Sequence, residues 1–234
     1  MAGRGFPAEV EPIVNERLFT LKNGRWWPMY VPVNCDRITA GTCLAESFAD
    51  LASKEYGCDI GIIPCADGGT CLDQWMPGTS IYDNAVFQAK LAMRSSTLAG
   101  VLWHQGEADC APERYPLYEE KCSRIFETMR QELNIEHLPF LIGGLGDFLA
   151  RCPYEPHVEN YAHVNRALLD MAEKRDYIHF VSAEGLTSNP DLLHFNAASL
   201  RTFGERYFRV FKNVNQLDFS SDNTAVEYRE MEKL

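Results

Sequence analysis

The sequence predicts an α/β fold built on a largely parallel sheet, and three observations carry that prediction. Short apolar runs bounded by turn residues alternate with longer segments of helical period. The apolar runs are suited to burial on both faces, as the strands of a parallel sheet require. At 234 residues and 46% hydrophobic content, the chain can bury one sizeable core and is not obviously long enough for two.

Taken in order, residues 1–38 read as irregular or hairpin-like, with Asn23-Gly24 as a turn beside Trp26 and Trp27. Strands are predicted over 60–64, 100–103, 140–143 and 177–182. Helices are predicted over 43–55, 84–95, 115–133, 159–173 and 197–212, from periodicity and capping residues. Right-handed crossovers place them on both faces of the sheet. The domain covers 1–213, and 214–234 reads as an acidic C-terminal extension in which the apolar period fades.

The 22 basic and 33 acidic side chains give a net charge of −11. That balance argues against a nucleic-acid partner, because such affinity rests on Lys and Arg neutralising phosphates. A neutral or weakly charged small molecule fits better. The eight cysteines lack the paired short spacing of a zinc site and read as reduced thiols, so no metal is expected. No apolar stretch approaches the length of a membrane span, and residues 1–20 carry charges, Pro7 and Pro12 where a signal peptide has an apolar run. The expected setting is cytoplasmic, without a membrane partner. Oligomeric state has no signature in the chain.

In open parallel sheets the ligand crevice lies beyond the carboxyl ends of the strands. Three such positions stand out. After the strand at 60–64 comes Cys65-Ala66-Asp67-Gly68-Gly69-Thr70, where the glycines let the backbone approach a ligand and aim an amide at a developing oxyanion. An ordinary glycine turn is the plain alternative. After 100–103 comes His104-Gln105-Gly106-Glu107-Ala108-Asp109. Here Gln105 can offer a side-chain amide to an oxyanion and Glu107 can anchor a cation or a network, while Asp109 alternatively supplies a helix cap. The third is Asp191-Leu192-Leu193-His194, after the turn Thr187-Ser188-Asn189-Pro190. A carboxylate three residues before a histidine can fix its tautomer and free the far ring nitrogen to take a proton from a hydroxyl. The spacing alone is weak evidence, since a capped loop has the same form.

Together, HQGEAD at 104–109, PCADGGT at 64–70 followed by Trp75, and DxxH at 191–194 resemble the SGNH-hydrolase superfamily, and within it the sialate O-acetylesterase-like and carbohydrate esterase family six enzymes. The resemblance runs from Met1 to about Asn213. It implies a three-layer α/β/α sandwich and a serine hydrolase that removes acetyl groups from sugars without a cofactor. On that basis His194 is the general base and Asp191 its orienting acid. Gly68 or Gly69 and Gln105 form the oxyanion hole, and Glu107 and Arg4 brace the site as a pair. Trp75 and Thr70 are candidate substrate contacts.

The nucleophile is where the chain departs from the resemblance. Relatives carry a Gly-Gln-Ser-Asn-Met-Ala-Gly-Arg-Gly block after their first strand, whereas this chain opens with Met1-Ala2-Gly3-Arg4-Gly5. The serine and its strand are therefore expected upstream of Met1, leaving this chain inactive, with sheet edges and apolar faces uncovered. Ser47 lies in a helical stretch and reads as packing. Cys65 or Cys71 with His194 would make a thiol hydrolase, a second possibility. A third is a non-catalytic carbohydrate-binding or regulatory protein, with Trp26, Trp27 and Trp75 as sugar platforms.

Overall fold

The computed structural model describes residues 1–215, so nearly all of the acidic extension expected over 214–234 lies outside the described residues. The hairpin is present: β1 (Leu18–Lys22) runs antiparallel to β2 (Arg25–Pro28), with Lys22 opposite Arg25. Asn23 and Gly24 both take positive φ, 51° and 73°, the two-residue turn whose twist matches that of the flanking strands. β1 then joins β3 (Ile60–Ile62) in parallel, Leu18 against Ile60. A second, wholly parallel sheet holds β4 (Val101–Trp103), β5 (Phe140–Gly143) and β6 (Ile178–Val181) in that order.

Among the described residues five α-helices cover the sheets, giving the predicted α/β/α layering. α1 (Leu44–Tyr56) and α5 (Ala197–Val214) pack on each other over one face. α2 (Ser80–Ala92), α3 (Tyr118–Leu133) and α4 (Tyr161–Lys174) form the other layer. Phe48 of α1 meets Phe211 of α5 edge to face at 5.5 Å, and Glu46 meets Arg201 at 2.6 Å with both side chains largely buried. Glu46 also closes the start of α1 by accepting from Cys43 N at 2.9 Å. The α2 boundary differs from the expected 84–95: Thr79, extended at φ −89°, sets the helix start at Ser80, directly after Pro77-Gly78.

The two sheets do not pair with each other. Ile60 N donates to Arg17 O and Val101 N to Pro139 O, so these residues spend their backbone groups on β1 and β5. Alternation along a parallel ladder then turns the N–H and C=O of Gly61 and Leu102 toward the space between β3 and β4. That space is part of a cavity of about 1210 Å³, walled by Leu44, Phe48 and Ala52 from α1 and by Ala85, Ala89 and Met129 from the opposite layer. Burial on both faces holds for β5, every residue of which is buried. It fails for β3, whose Ile60 and Ile62 are half-buried and whose Gly61 is exposed.

Candidate active site

Asp191 and His194 are brought together by a tight turn. Ser188 bridges Phe195 across its base, Asn189 N donates to His194 O at 2.7 Å, and Leu192 takes a left-handed φ of 54°. The chain doubles back so that Asp191 Oδ1 accepts from the amides of Leu193 (2.9 Å) and His194 (3.0 Å), while Oδ2 accepts from His194 Nδ1 at 2.7 Å. Burial pushes the Asp191 carboxyl up, but the backbone and imidazole bonds from His194 and the amide of Leu193 outweigh it and leave it below the usual range. The ring is thereby oriented, with Nε2 as its unspent nitrogen, and at 40% side-chain exposure it is open to a substrate. His194 lines the same cavity that separates the sheets.

Glu107 stands on the facing loop. Its Oε1 lies 3.6 Å from Nε2 of His104, a side chain only 2% exposed and set edge-on to Phe195 and Phe203. Burial would raise the Glu107 carboxyl; His104, together with the charge of His194, holds it at about 2. Two carboxylates, Asp191 and Glu107, thus share the surroundings of the His194 ring.

Arg4 does not pair with Glu107 as expected. Its guanidinium grips Asp36 through two bonds, Nη1 to Oδ1 at 3.1 Å and Nη2 to Oδ2 at 2.6 Å, and Nη1 also donates to Gly3 O. Asp36 wins this contact because it is already aimed, with Oδ2 accepting from Gly68 N at 2.9 Å. Asn189 Nδ2 donates to Arg4 O at 2.9 Å, which ties the N-terminal segment to the turn bearing Asp191. Asp36 has no signal in the sequence beyond an isolated polar residue in a loop, and Asn189 signals only the turn before Asp191.

The oxyanion candidates are placed unequally. The Gly68 amide is spent on Asp36, whereas Gly69 lines the cavity at φ 77°, a conformation that costs glycine little. Gln105 Nε2 donates to Thr70 O (2.9 Å) and Asp109 Oδ2 (2.6 Å), so both of its amide hydrogens are engaged within the protein. Asp109 is a buried hub that also accepts from Leu72 N at 2.9 Å, capping a short helical turn in a different loop. Trp75 and Thr70 are interior residues. Trp75, 7% exposed, stacks edge-to-face on Trp103, and its Nε1 donates to Thr70 Oγ1 at 2.9 Å, while Thr70 Oγ1 donates to Asp67 O. The indole N–H and one edge of the ring are thereby satisfied within the protein, and both Trp75 and Thr70 line the cavity that His194 lines.

The substitutes for a serine fare poorly. Ser47 Oγ donates to Arg201 O at 2.8 Å within the α1–α5 contact. Desolvation pushes the Cys65 thiol up to about 12, the wrong direction for a nucleophile, and Cys71 is buried with its Sγ 3.5 Å from Gln74 Oε1. Among the described residues no hydroxyl or thiol is hydrogen-bonded to His194 Nε2, and no group of three or more His, Cys, Asp or Glu could hold a metal ion. Also among the described residues, no helix is long and apolar enough to cross a membrane.

The chain is 28% identical over 125 residues to a probable carbohydrate esterase of Arabidopsis thaliana; the match covers 50% of this chain and 48% of that protein, about half the length of each. The solved structure of an Arabidopsis thaliana protein of the same locus superposes with a TM-score of 0.80 at 23% identity, over 91% of this chain and 93% of that one. NanS gives 0.70 at 16% identity, over 91% and 92% of the two chains. A carbohydrate acetylesterase from Xanthomonas citri gives 0.62 at 18% identity, over 84% of this chain and 48% of that one. These likenesses show a shared fold. The model of the carbohydrate esterase, sialic acid-specific acetylesterase family matches residues 1–213, nearly the whole chain, and the protein belongs to that family.

Proposed function

We propose that this chain supplies the acid–base half of a carbohydrate O-acetylesterase of the serine-hydrolase type, and that its nucleophilic hydroxyl comes from sequence upstream of Met1. The observation that carries the reading is the His194–Asp191 bond of 2.7 Å beside a cavity that Met1, Gly3 and Arg4 also line. In the completed site a serine oxygen attacks the acetyl carbonyl while His194 Nε2 takes its proton. The same proton is returned to the departing sugar oxygen, and water, deprotonated by His194, then releases acetate. Asp191 holds the tautomer throughout and stabilises the imidazolium.

The Gly69 amide is the group best placed to receive the oxyanion. Gly68 or Gln105 could join only by giving up its present partner, and a donor already spent on the protein adds little to transition-state binding. Glu107 and Asp191 make the neighbourhood of the histidine acidic, which favours uncharged acetylated sugars over anionic ones. The experiment is release of acetate from acetylated monosaccharides by this chain and by one extended upstream with an apolar strand ending in Gly-Gln-Ser-Asn. The extended chain should turn over and the shorter one should lose several orders of magnitude. Equal rates in both would overturn the reading.

A further inference from the structure

The connection between β5 and α4 borders the cavity beside the histidine turn. It begins with a short helical turn, Asp147–Arg151, seated by Phe148 and Leu149, both almost fully buried. Cys152 Sγ then lies 3.8 Å from Asp191 O, which ties the chain to the turn that bears His194. At the far end Val158 is fully buried, and Asn160 Nδ2 donates to Cys110 O at 3.2 Å, next to the loop that carries Glu107. Residues 153–157 therefore bridge the two elements that flank the His194 ring, and Pro153 and Pro156 narrow the backbone freedom of the bridge. Glu155 is its middle residue. Three residues of chain span about 11 Å at most, so its Cα stays within that reach of Cys152 Cα.

Glu155 lines the cavity together with Leu193 and His194. It is exposed, and among the described residues its carboxylate has no hydrogen-bond or ion-pair partner. Its neighbours differ in this respect. Arg4, Asp67, Glu107 and His194 also line the cavity, and each is paired within the protein, with Asp36, Arg37, His104 and Asp191 in turn. Neither Arg4 nor Arg37 is left to neutralise Glu155.

We propose that Glu155 selects the alcohol side of the substrate, its carboxylate accepting hydrogen bonds from free hydroxyls beside the ester of a neutral acetylated sugar. The proposal rests on the esterase reading, which sets the ester at His194. An ionised carboxylate only accepts, so it rewards a donor on the ligand and repels a second carboxylate. Two hydroxyls of a pyranose can meet its two oxygens, whereas a sugar whose flanking oxygens are acylated or etherified has nothing to donate. The site thus favours sparsely acetylated sugars over densely substituted ones. Asp191 and Glu107 cannot supply this selection, because each is engaged with a histidine. A loop held at both ends is suited to it, since a few fixed polar groups orient a ligand in a largely apolar pocket.

The test uses the chain as it is and two uncharged ligands that share a single ester, methyl 3-O-acetyl-β-D-glucopyranoside and its 2,4,6-tri-O-methyl ether. Dissociation constants come from ligand-observed NMR titrations. The hydroxylated sugar should bind at least about fivefold more tightly, a smaller preference than a buried charged hydrogen bond gives because Glu155 is exposed. Glu155→Leu should bring the ratio to within about twofold of unity, and Glu155→Gln, which keeps one acceptor oxygen, should leave an intermediate ratio. Neither substitution should move the thermal midpoint by more than about 2 °C, as expected for an exposed side chain without partners. A wild-type ratio near one, a ratio unchanged in Glu155→Leu, or no saturable binding of either sugar overturns the proposal. Binding requires no serine, so an upstream-extended enzyme that releases no acetate while the ratio persists counts against the esterase reading alone. Acetate release by that enzyme without any hydroxyl preference counts against Glu155 alone.

Discussion

Arg4 and Asp36 form a two-pronged ion pair with side chains only 12% and 6% exposed, and the same carboxylate holds the Gly68 amide at 2.9 Å. One acidic side chain therefore fastens the N-terminal segment to the glycine loop. Arg4→Met leaves that carboxylate buried and uncompensated, and the expected loss is about 3 kcal/mol in urea unfolding. Burial raises the Asp36 carboxyl, but Arg4 and the Gly68 amide bring it below its ordinary value. A depressed carboxyl contributes stability that is complete above its unfolded pKa and is lost as pH falls through the folded one. The difference between wild type and Arg4→Met should therefore shrink as pH falls from about 5 to about 3. A pH-independent difference would show that Asp36 is not the group responsible.

The α1–α5 contact depends on a second buried pair. Glu46 is 1% exposed at its side chain and meets Arg201 at 2.6 Å. Burial raises its carboxyl, with the Cys43 amide and Arg201 opposing the shift. Arg201→Met strands the charge, and a loss of about 3–5 kcal/mol is expected. Pairing it with Glu46→Gln, which keeps an acceptor for Cys43 N, should recover part of that loss in a double-mutant cycle.

How much of this was legible in the sequence depended on the range of each interaction. Phe140–Gly143 is a strand to the residue because a local apolar run is enough to specify a doubly buried strand. Asn23-Gly24 announces its turn by itself. The Asp191–His194 pair is equally local, three residues apart. The pairing of Leu18 with Ile60 spans the whole of α1, and no periodicity within residues 1–38 reports that the hairpin joins a parallel strand. The resemblance pairs Arg4 with Glu107, yet its partner Asp36 lies 32 positions along the chain and is selected by the orientation that Gly68 gives it. For Trp75 the indole type alone suggests a sugar platform, and only the fold reveals that Thr70 and Trp103 pack against it at the cavity wall.

The Asp191 carboxylate accepts three hydrogen bonds, two from backbone amides and one from the imidazole. In the upstream-extended enzyme, Asp191→Asn should reduce kcat by about 10⁴-fold, because an amide in place of the carboxylate favours the wrong tautomer of His194. KM should change little, since no binding contact is removed. A loss confined to KM would place Asp191 among substrate contacts instead.

Thr70 and Trp75 separate structural from substrate-binding roles. Thr70→Val removes the acceptor of Trp75 Nε1, an N–H in an indole only 7% exposed. An orphaned buried donor costs about 1–3 kcal/mol, so thermal or urea stability should fall by that amount. The glycine loop is also held by Gly68 N on Asp36, so its main course survives the loss of the threonine hydroxyl. Sugar KM in the extended enzyme should consequently stay within about twofold of wild type, since a buried structural bond binds substrate and transition state equally little. A large rise in KM with unchanged stability would return Thr70 and Trp75 to the substrate surface.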